Sequence, residues 1–98
     1  MIPFTKEIFL RDLRKTSSGD GELLTVTNAV SKYAIEEAFR YIEDNPDLAT
    51  TDALELFIKD MDSYACRAKT AASSYIFSTA KSVGEDILDT WIFHIANN

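Results

Sequence analysis

Residues 52–82 read DALELFIKDMDSYACRAKTAASSYIFSTAKS, a stretch of 31 residues that contains no glycine and no proline. An apolar or small residue recurs in it at alternating steps of four and three, which places the whole row on one side of an α-helix. The members of the row are Leu54, Ile58, Met61, Ala65, Ala68, Ala72, Tyr75 and Thr79. The pattern predicts one long amphipathic helix over residues 52–82, about 46 Å long at about 1.5 Å per residue. The small side chains of residues 65–74 predict that a neighbouring helix crosses most closely there.

Two helices are predicted before this stretch. The first covers residues 5–15, and Thr5 is suited to be its N-cap because a hydroxyl can accept a hydrogen bond from a free N–H group of the first turn. The second begins at Thr25 or Thr27 and ends near Glu43, because the proline that follows disfavours helix in the residue before it. Its apolar side covers more than half of its circumference, which predicts that it packs against more than one neighbour.

A fourth helix is predicted after the long one. Ser82 and Glu85 have the spacing of a capping box, and the apolar residues that follow are turned about 120° from the row in the long helix. A straight helix cannot present both rows to one core, so we expect a break near Gly84 and a separate helix over residues 83–96. An alternative is a break inside the long helix near Ser73.

Length and composition predict a single all-α domain over residues 1–98. The chain has 98 residues, of which 46% are hydrophobic and 27% are charged, a globular composition. No apolar run approaches the roughly 20 residues that a membrane-spanning helix needs, and the N-terminal residues do not resemble a signal peptide. Cys66 is the only cysteine, which excludes an internal disulfide and favours a reducing compartment. We therefore expect a cytoplasmic protein.

Negative charge is concentrated in one part of the sequence. The formal net charge is −6, and residues 36–62 carry nine acidic side chains against Arg40 and Lys59. Residues 1–16 are weakly basic, with four basic and two acidic side chains. Because phosphate binding depends on lysine and arginine, the overall charge argues against nucleic acid or an anionic membrane as the main partner. It favours a protein partner with a basic surface.

No residue pattern in the chain predicts catalysis, a cofactor or a metal ion. His94 is the only histidine, which excludes a di-metal bundle built on two Glu-x-x-His motifs, and nothing in the sequence predicts that it approaches Cys66. No EF-hand loop is present. The Gly-Asp-Gly sequence at residues 19–21 lacks the lysine and the preceding strand of a phosphate-binding P-loop. We therefore predict a protein that is not an enzyme.

The sequence favours a protein–protein interaction module whose carboxylates contact the partner. The candidate binding residues are Glu36, Glu37, Glu43, Asp44, Asp47, Glu55, Asp60 and Asp62. One form of this hypothesis is an inhibitor that occupies a basic, nucleic-acid-binding groove of its partner with carboxylates in place of phosphates. Small acidic proteins of phages and mobile elements act in this way, an analogy of class that makes a phage protein one interpretation.

Two alternatives remain open at this level. The four tyrosines are Tyr33, Tyr41, Tyr64 and Tyr75. If their hydroxyls converge in a pocket, the protein is a small ligand-binding bundle or an enzyme. If an apolar strip of the long helix is left uncovered by its own chain, it is an interface for a second copy, and the protein is a structural homodimer.

Overall fold

The computed structural model describes residues 4–16 and 22–97, and it includes the side chains of residues 4–11 and 28–97. Within these residues the fold consists of four α-helices, and no β-strand is present. The helices are α1 (Lys6–Thr16), α2 (Glu22–Asp44), α3 (Thr50–Arg67) and α4 (Ala71–Ala96). The predicted all-α bundle of four helices is confirmed.

The stretch that was predicted as one helix over residues 52–82 is divided between α3 and α4. A turn at residues 68–70 joins the two helices. Ala68 and Thr70 have extended backbone angles in this turn, and the Thr70 hydroxyl caps α4 by accepting a hydrogen bond of 3.0 Å from the Ser73 N–H. The prediction of a continuous helix is therefore wrong, and the break lies close to the alternative position at Ser73.

The two helices form an antiparallel hairpin. The rings of Tyr64 and Phe77 lie 5.2 Å apart, and further from the turn Phe57 packs against Gly84. Residues later in α4 thus contact residues earlier in α3, so the two helices run in opposite directions. A straight helix of about 46 Å would be longer than the molecule, whose principal dimensions are 39 × 33 × 19 Å. Folding back at the turn lets the apolar sides of both halves share one core.

Helix α4 continues without a break through Gly84, so the predicted start of a new helix at Ser82 is wrong. Ala80, Gly84 and Ile87 are the buried residues of α4, and they follow one another at steps of four and three. Because the turn at residues 68–70 separates the two helices, the side of α4 that faces the core need not follow from the apolar row of α3. The change of direction that we expected near Gly84 therefore occurs earlier in the chain.

Helices α3 and α4 approach each other closely at Gly84. A Cβ atom at this position would lie 2.8 Å from Cδ2 of Phe57 and 3.0 Å from Cγ1 of Ile58. Both distances are shorter than ordinary carbon–carbon contacts of about 3.5–4.0 Å. The absence of a side chain at Gly84 therefore permits the crossing. The prediction of a closest crossing at residues 65–74 finds no support, because none of those residues is buried.

Helix α2 begins earlier than predicted and ends where predicted. It starts at Glu22, before both of the threonines that were candidate N-caps. It ends at Asp44, and the side-chain amide of Asn45 donates a hydrogen bond of 2.8 Å to the backbone carbonyl of Tyr41 in the last turn. The proline signal at the C-terminal end was therefore reliable, whereas hydroxyl residues alone did not mark the N-terminal end.

The hydrophobic core lies where α2 meets the hairpin. It contains Ala34, Ile35, Ala38 and Phe39 of α2, Leu54, Phe57 and Met61 of α3, and Ala80 and Ile87 of α4. Helix α2 contacts α1, α3 and α4, as its wide apolar side predicted. The largest interface in the fold is the one between α3 and α4. Any surface of this hairpin therefore lies on a pair of extensively packed helices.

An aromatic cluster attaches the N-terminal residues to the bundle. The ring of Phe4 lies 4.9 Å from the ring of Trp91, 5.2 Å from that of Phe39 and 5.6 Å from that of Phe9. His94 stacks on Trp91 at 5.6 Å. Because aromatic pairs in this distance range are favourable, Phe4 connects α1, α2 and α4.

Candidate interaction groove

An open groove of about 490 Å³ runs between α3 and α4. Its lining residues are Glu55, Ile58, Lys59 and Asp62 of α3, and Lys81, Glu85, Leu88 and Asp89 of α4. Successive lining residues of one helix are mostly three or four positions apart, a spacing that places them on one side of that helix. The antiparallel hairpin brings the two rows together although they are distant in the sequence.

The groove has an apolar floor and charged walls. Ile58 and Leu88 are half-buried, and Leu88 packs against the hydrophobic core. Glu55, Lys59, Asp62, Glu85 and Asp89 are exposed. Burial of such a floor under apolar surface of a partner contributes favourable binding free energy. The charged walls determine whether a positively or a negatively charged partner is preferred.

Lys81 bridges the groove. Its Nζ lies 3.1 Å from Oδ1 of Asp62, and it donates a hydrogen bond to that oxygen. This hydrogen bond, and then the negative charges of Asp62 and Glu85, raise the pKa of the Lys81 ammonium group above its ordinary value. Lys81 is therefore charged at neutral pH. Because the pair is exposed to water, we assign it a role in geometry and only a small role in stability.

Negative charge is in excess in the groove. Four carboxylates face two lysines, and one of the carboxylates, Asp62, is already paired with Lys81. Glu55 and Asp89 form no ion pair with any side chain that the structure describes. These two carboxylates are available to a cation from outside the molecule.

Two of the eight predicted binding residues, Glu55 and Asp62, lie in the groove. Asp60 lies outside it, although it is only two positions from Asp62. Its Oδ2 accepts a hydrogen bond of 2.7 Å from the Tyr41 hydroxyl, and the Tyr41 ring contacts the buried Phe57. Burial, and next the hydrogen bond to Asp60, raise the pKa of the Tyr41 phenol. Asp60 therefore participates in the packing of α2 on α3.

The other five predicted binding residues lie outside the groove. Glu36, Glu43, Asp44 and Asp47 are exposed, and none of them lines the groove. Glu37 is half-buried and pairs with Arg40 at 3.1 Å. The structure therefore does not gather the eight acidic residues into one site, and a role for these five in binding stays a prediction.

Six groove residues, among them three at the α4 end of the groove, were not among the sequence-based candidates. Glu85, Leu88 and Asp89 lie outside the acidic region of residues 36–62. Lys81, Glu85 and Asp89 are separated by steps of four, which predicts one charged side on a helix. This signal was present in the sequence. It did not indicate a site because the α3–α4 hairpin, which places it opposite Glu55, was not predicted.

The tyrosines do not line one enclosed cavity. The side chains of Tyr33, Tyr64 and Tyr75 are 58%, 41% and 39% exposed, and only Tyr41 is largely covered. Tyr64 contacts the ring of Phe77, and the guanidinium group of Arg67 lies over the Tyr64 ring, 5.3 Å from its centroid. This exposure is inconsistent with a closed ligand pocket built from all four tyrosines.

Cys66 and His94 occupy different ends of the hairpin. Cys66 is exposed beside the turn at residues 68–70, whereas His94 stacks on Trp91 near the end of α4. Among the side chains that the structure describes, no group of three or more histidine, cysteine or acidic residues is placed to hold a metal ion. None of the helices in the described part of the chain is both long enough and apolar enough to span a membrane.

Comparisons with known proteins do not assign the chain to a family. No protein-family model matches it, and no curated protein or solved structure matches it significantly. The description of the groove therefore rests on the geometry and charge of its own residues.

Proposed function

We propose that this protein is a non-enzymatic interaction module that binds a basic surface of a partner protein through the α3–α4 groove. The observation that carries the proposal is the arrangement of four carboxylates around the apolar floor of Ile58 and Leu88. Apolar area supplies affinity, and the uncompensated carboxylates supply selection for lysine and arginine. The groove replaces the longer acidic region of residues 36–62 as the centre of the proposed interface.

The charge of the groove favours a protein partner over a nucleic acid. Nucleic acids are bound mainly through lysine and arginine side chains that displace counterions from phosphates. The groove has twice as many carboxylates as lysines, and Lys81 is already paired with Asp62. A phosphate backbone would therefore be repelled, whereas a basic protein surface would be attracted.

The proposal includes inhibition as a specific form. If the basic surface of the partner is one that normally binds nucleic acid, occupation by this protein excludes the nucleic acid. This is the mode of action that we expect for a small acidic protein of a phage or mobile element, and it is expected to operate in the cytoplasm. A direct test is competition, in which the protein releases a labelled oligonucleotide from the identified partner.

The raised pKa values of Tyr41 and Lys81 argue against these two groups as general bases. The pKa of Tyr41 and that of Lys81 are both raised, so each group is held in its protonated form at neutral pH. A general base needs a pKa close to the working pH. The Tyr41 hydroxyl also donates a hydrogen bond to Asp60, a contact that belongs to the packing of α2 on α3.

The test is affinity capture from an extract of the organism that encodes the protein, with two variants of equal charge. The groove variant carries Glu55→Gln, Glu85→Gln and Asp89→Asn. The control variant carries three changes on the exposed side of α2, Glu36→Gln, Glu43→Gln and Asp44→Asn, and has the same net charge. We expect wild type and control to capture the same basic protein in quantity, and the groove variant to lose most of it.

The outcomes distinguish the proposal from its rivals. Equal loss in both variants would mean that overall charge, and not the groove, determines binding. Equal capture by all three proteins would show that the interface lies elsewhere. A captured protein that is released by a small increase in salt, and only from wild type and control, supports the charge-selected groove, because exposed charge pairs are screened by salt.

A further inference from the structure

We propose that the occupant of the groove is an amphipathic α-helix of the partner, with a row of apolar residues flanked by lysine or arginine on both sides. The inference rests on the proposed function and adds the structural class of the partner. It starts from an apolar row on α4 that the chain leaves partly uncovered. The row consists of Leu88, Ile92 and Ile95, and it is called here the α4 stripe.

The α4 stripe extends the floor of the groove toward the end of α4. Its members are separated by four and three positions, so they lie within about 60° of one another around the helix, at about 3.6 residues per turn. Leu88 lines the groove, whereas Ile92 and Ile95 are 47% and 50% exposed. The core residue Ile87 is 1% exposed on the same helix. The stripe is therefore a second apolar row, beside the one that faces the core.

The length of this surface fits a helix. From Lys81 to Ile95 the surface extends about 21 Å, at about 1.5 Å per residue, which corresponds to about four helical turns. A groove between two antiparallel helices is a suitable receptor for a third, because the side-chain ridges of one helix pack into the grooves of another. A partner helix of roughly 14 residues would cover the whole surface.

Charge determines which helix fits. Glu55 stands on the α3 side of the groove, and Glu85 and Asp89 stand on the α4 side. A helix lying between them has acidic side chains on both flanks. Its own flanks must therefore be basic, because like charges brought together at an interface are destabilising.

A second copy of this chain is a poor candidate for the occupant. Its basic helix is α1, and Phe9 and Leu10 of α1 already pack against the core of their own chain. The apolar side of α1 is thus in use, and the remaining surface of a chain with net charge −6 is mainly acidic. A basic helix from a different protein satisfies both the apolar and the charge requirement.

The experiment uses two labelled synthetic peptides of 14 residues, made only of leucine and lysine. One has leucines at steps of four and three, and the other has the same composition in scrambled order. Fluorescence anisotropy is measured with wild type, with the stripe variant Ile92→Ser/Ile95→Ser, and with Phe93→Ser. Phe93 is a matched control because it is 69% exposed but turned about 140° from Leu88.

We expect wild type to bind the patterned peptide at least about tenfold more tightly than the scrambled one, and the stripe variant to lose about tenfold, from the apolar area removed. Phe93→Ser should change the dissociation constant less than about twofold, since its position is outside the contact. The groove variant should weaken binding of both peptides. Circular dichroism verifies that each variant remains helical.

Several results would overturn the inference. Equal affinity for the two peptides, or an unchanged affinity in the stripe variant, would show that charge alone acts, and the proposed function would still stand. A dimer in light scattering that the stripe variant abolishes would identify a second copy as the occupant. If neither peptide binds while groove-dependent capture from extract persists, the helix inference fails alone. If capture is also independent of the groove, the proposed function fails with it.

Discussion

Substitution of Gly84 by alanine provides a sensitive test of the α3–α4 crossing, because two opposite effects meet at this position. Alanine is favoured over glycine inside a helix by about 1 kcal/mol. The new Cβ would, however, lie 2.8 Å from Cδ2 of Phe57 and 3.0 Å from Cγ1 of Ile58. Phe57 is fully buried and its ring also contacts Tyr41, so a shift of the ring would disturb close-packed neighbours.

The overpacking effect should exceed the helix propensity effect. Inserting extra carbon into a packed core typically costs about 1–3 kcal/mol. We therefore expect Gly84→Ala to lower the free energy of unfolding by about 1 kcal/mol in net terms, which corresponds to a decrease of about 4–8 °C in Tm. Gly84→Val should be considerably more destabilising, because two further methyl groups enter the same contact.

The assay is urea denaturation followed by circular dichroism, with Ser82→Ala as the control. Ser82 is exposed in the same helix, so its replacement should stabilise the protein slightly, by about 0.5 kcal/mol from helix propensity alone. A double-mutant cycle with Phe57→Leu isolates the contact. When the ring is absent, Gly84→Ala should be neutral or stabilising. An alanine variant that is more stable than wild type in the presence of Phe57 would refute the tight crossing.

The remaining predictions concern contacts within the bundle. Tyr41→Phe should lower the free energy of unfolding by about 1 kcal/mol, because Asp60 loses its hydrogen-bond donor. Asp60→Asn keeps an acceptor and should lower this free energy by less; urea denaturation measures both effects. The folded state raises the pKa of the Tyr41 phenol, so the contribution of this group to the free energy of unfolding is complete below the unfolded pKa of about 10 and is lost as the pH rises beyond it. Above that pH, the stability of wild type should therefore fall more steeply than that of Tyr41→Phe. Thr70→Ala should cost about 1 kcal/mol through loss of the N-cap, whereas Thr70→Asp should retain most of the stability. Phe4→Ala should cost about 2 kcal/mol, because Phe4 is half-buried, and should shift the fluorescence of Trp91 to longer wavelength; unchanged emission would contradict the described cluster.

The number and type of elements were predictable from the sequence, whereas the start of α2 and the division between α3 and α4 were not. The turn at residues 68–70 contains neither glycine nor proline, and the apolar row of the long stretch continues through it. Periodicity alone therefore indicated a single helix. The signal that does mark the start of α4 is Thr70 followed three positions later by Ser73, and it is much weaker than a proline.

The error in the boundary also explains the error in the core of α4. Tyr75 belongs to the row that was extrapolated from α3, yet it is exposed, whereas Ala80 and Ile87 are buried. When a turn separates two helices, packing determines which side of the second helix faces the core, and the periodicity of the first helix does not. Gly84 was interpreted as a break, although it is the residue that lets α4 approach Phe57.

The candidate site was only partly predictable, because acidic residues were grouped by their proximity in sequence. Asp60 and Asp62 are two positions apart, so they lie on nearly opposite sides of α3. One accepts a hydrogen bond from Tyr41, and the other lines the groove with Lys81. The groove becomes visible only when α3 and α4 are paired, which is information about tertiary structure that no local count of charge contains.

The short turn at residues 68–70 also has a kinetic consequence. It joins the two helices that share the largest interface, so much of the native contact surface forms between neighbours along the chain, and closing so short a loop costs little entropy. We expect the hairpin of residues 50–96 to assemble early and Phe4 to reach its aromatic partners late. In stopped-flow refolding, helical ellipticity should then rise before Trp91 emission reaches its final value. Simultaneous changes in the two signals would show that the bundle assembles in one concerted step.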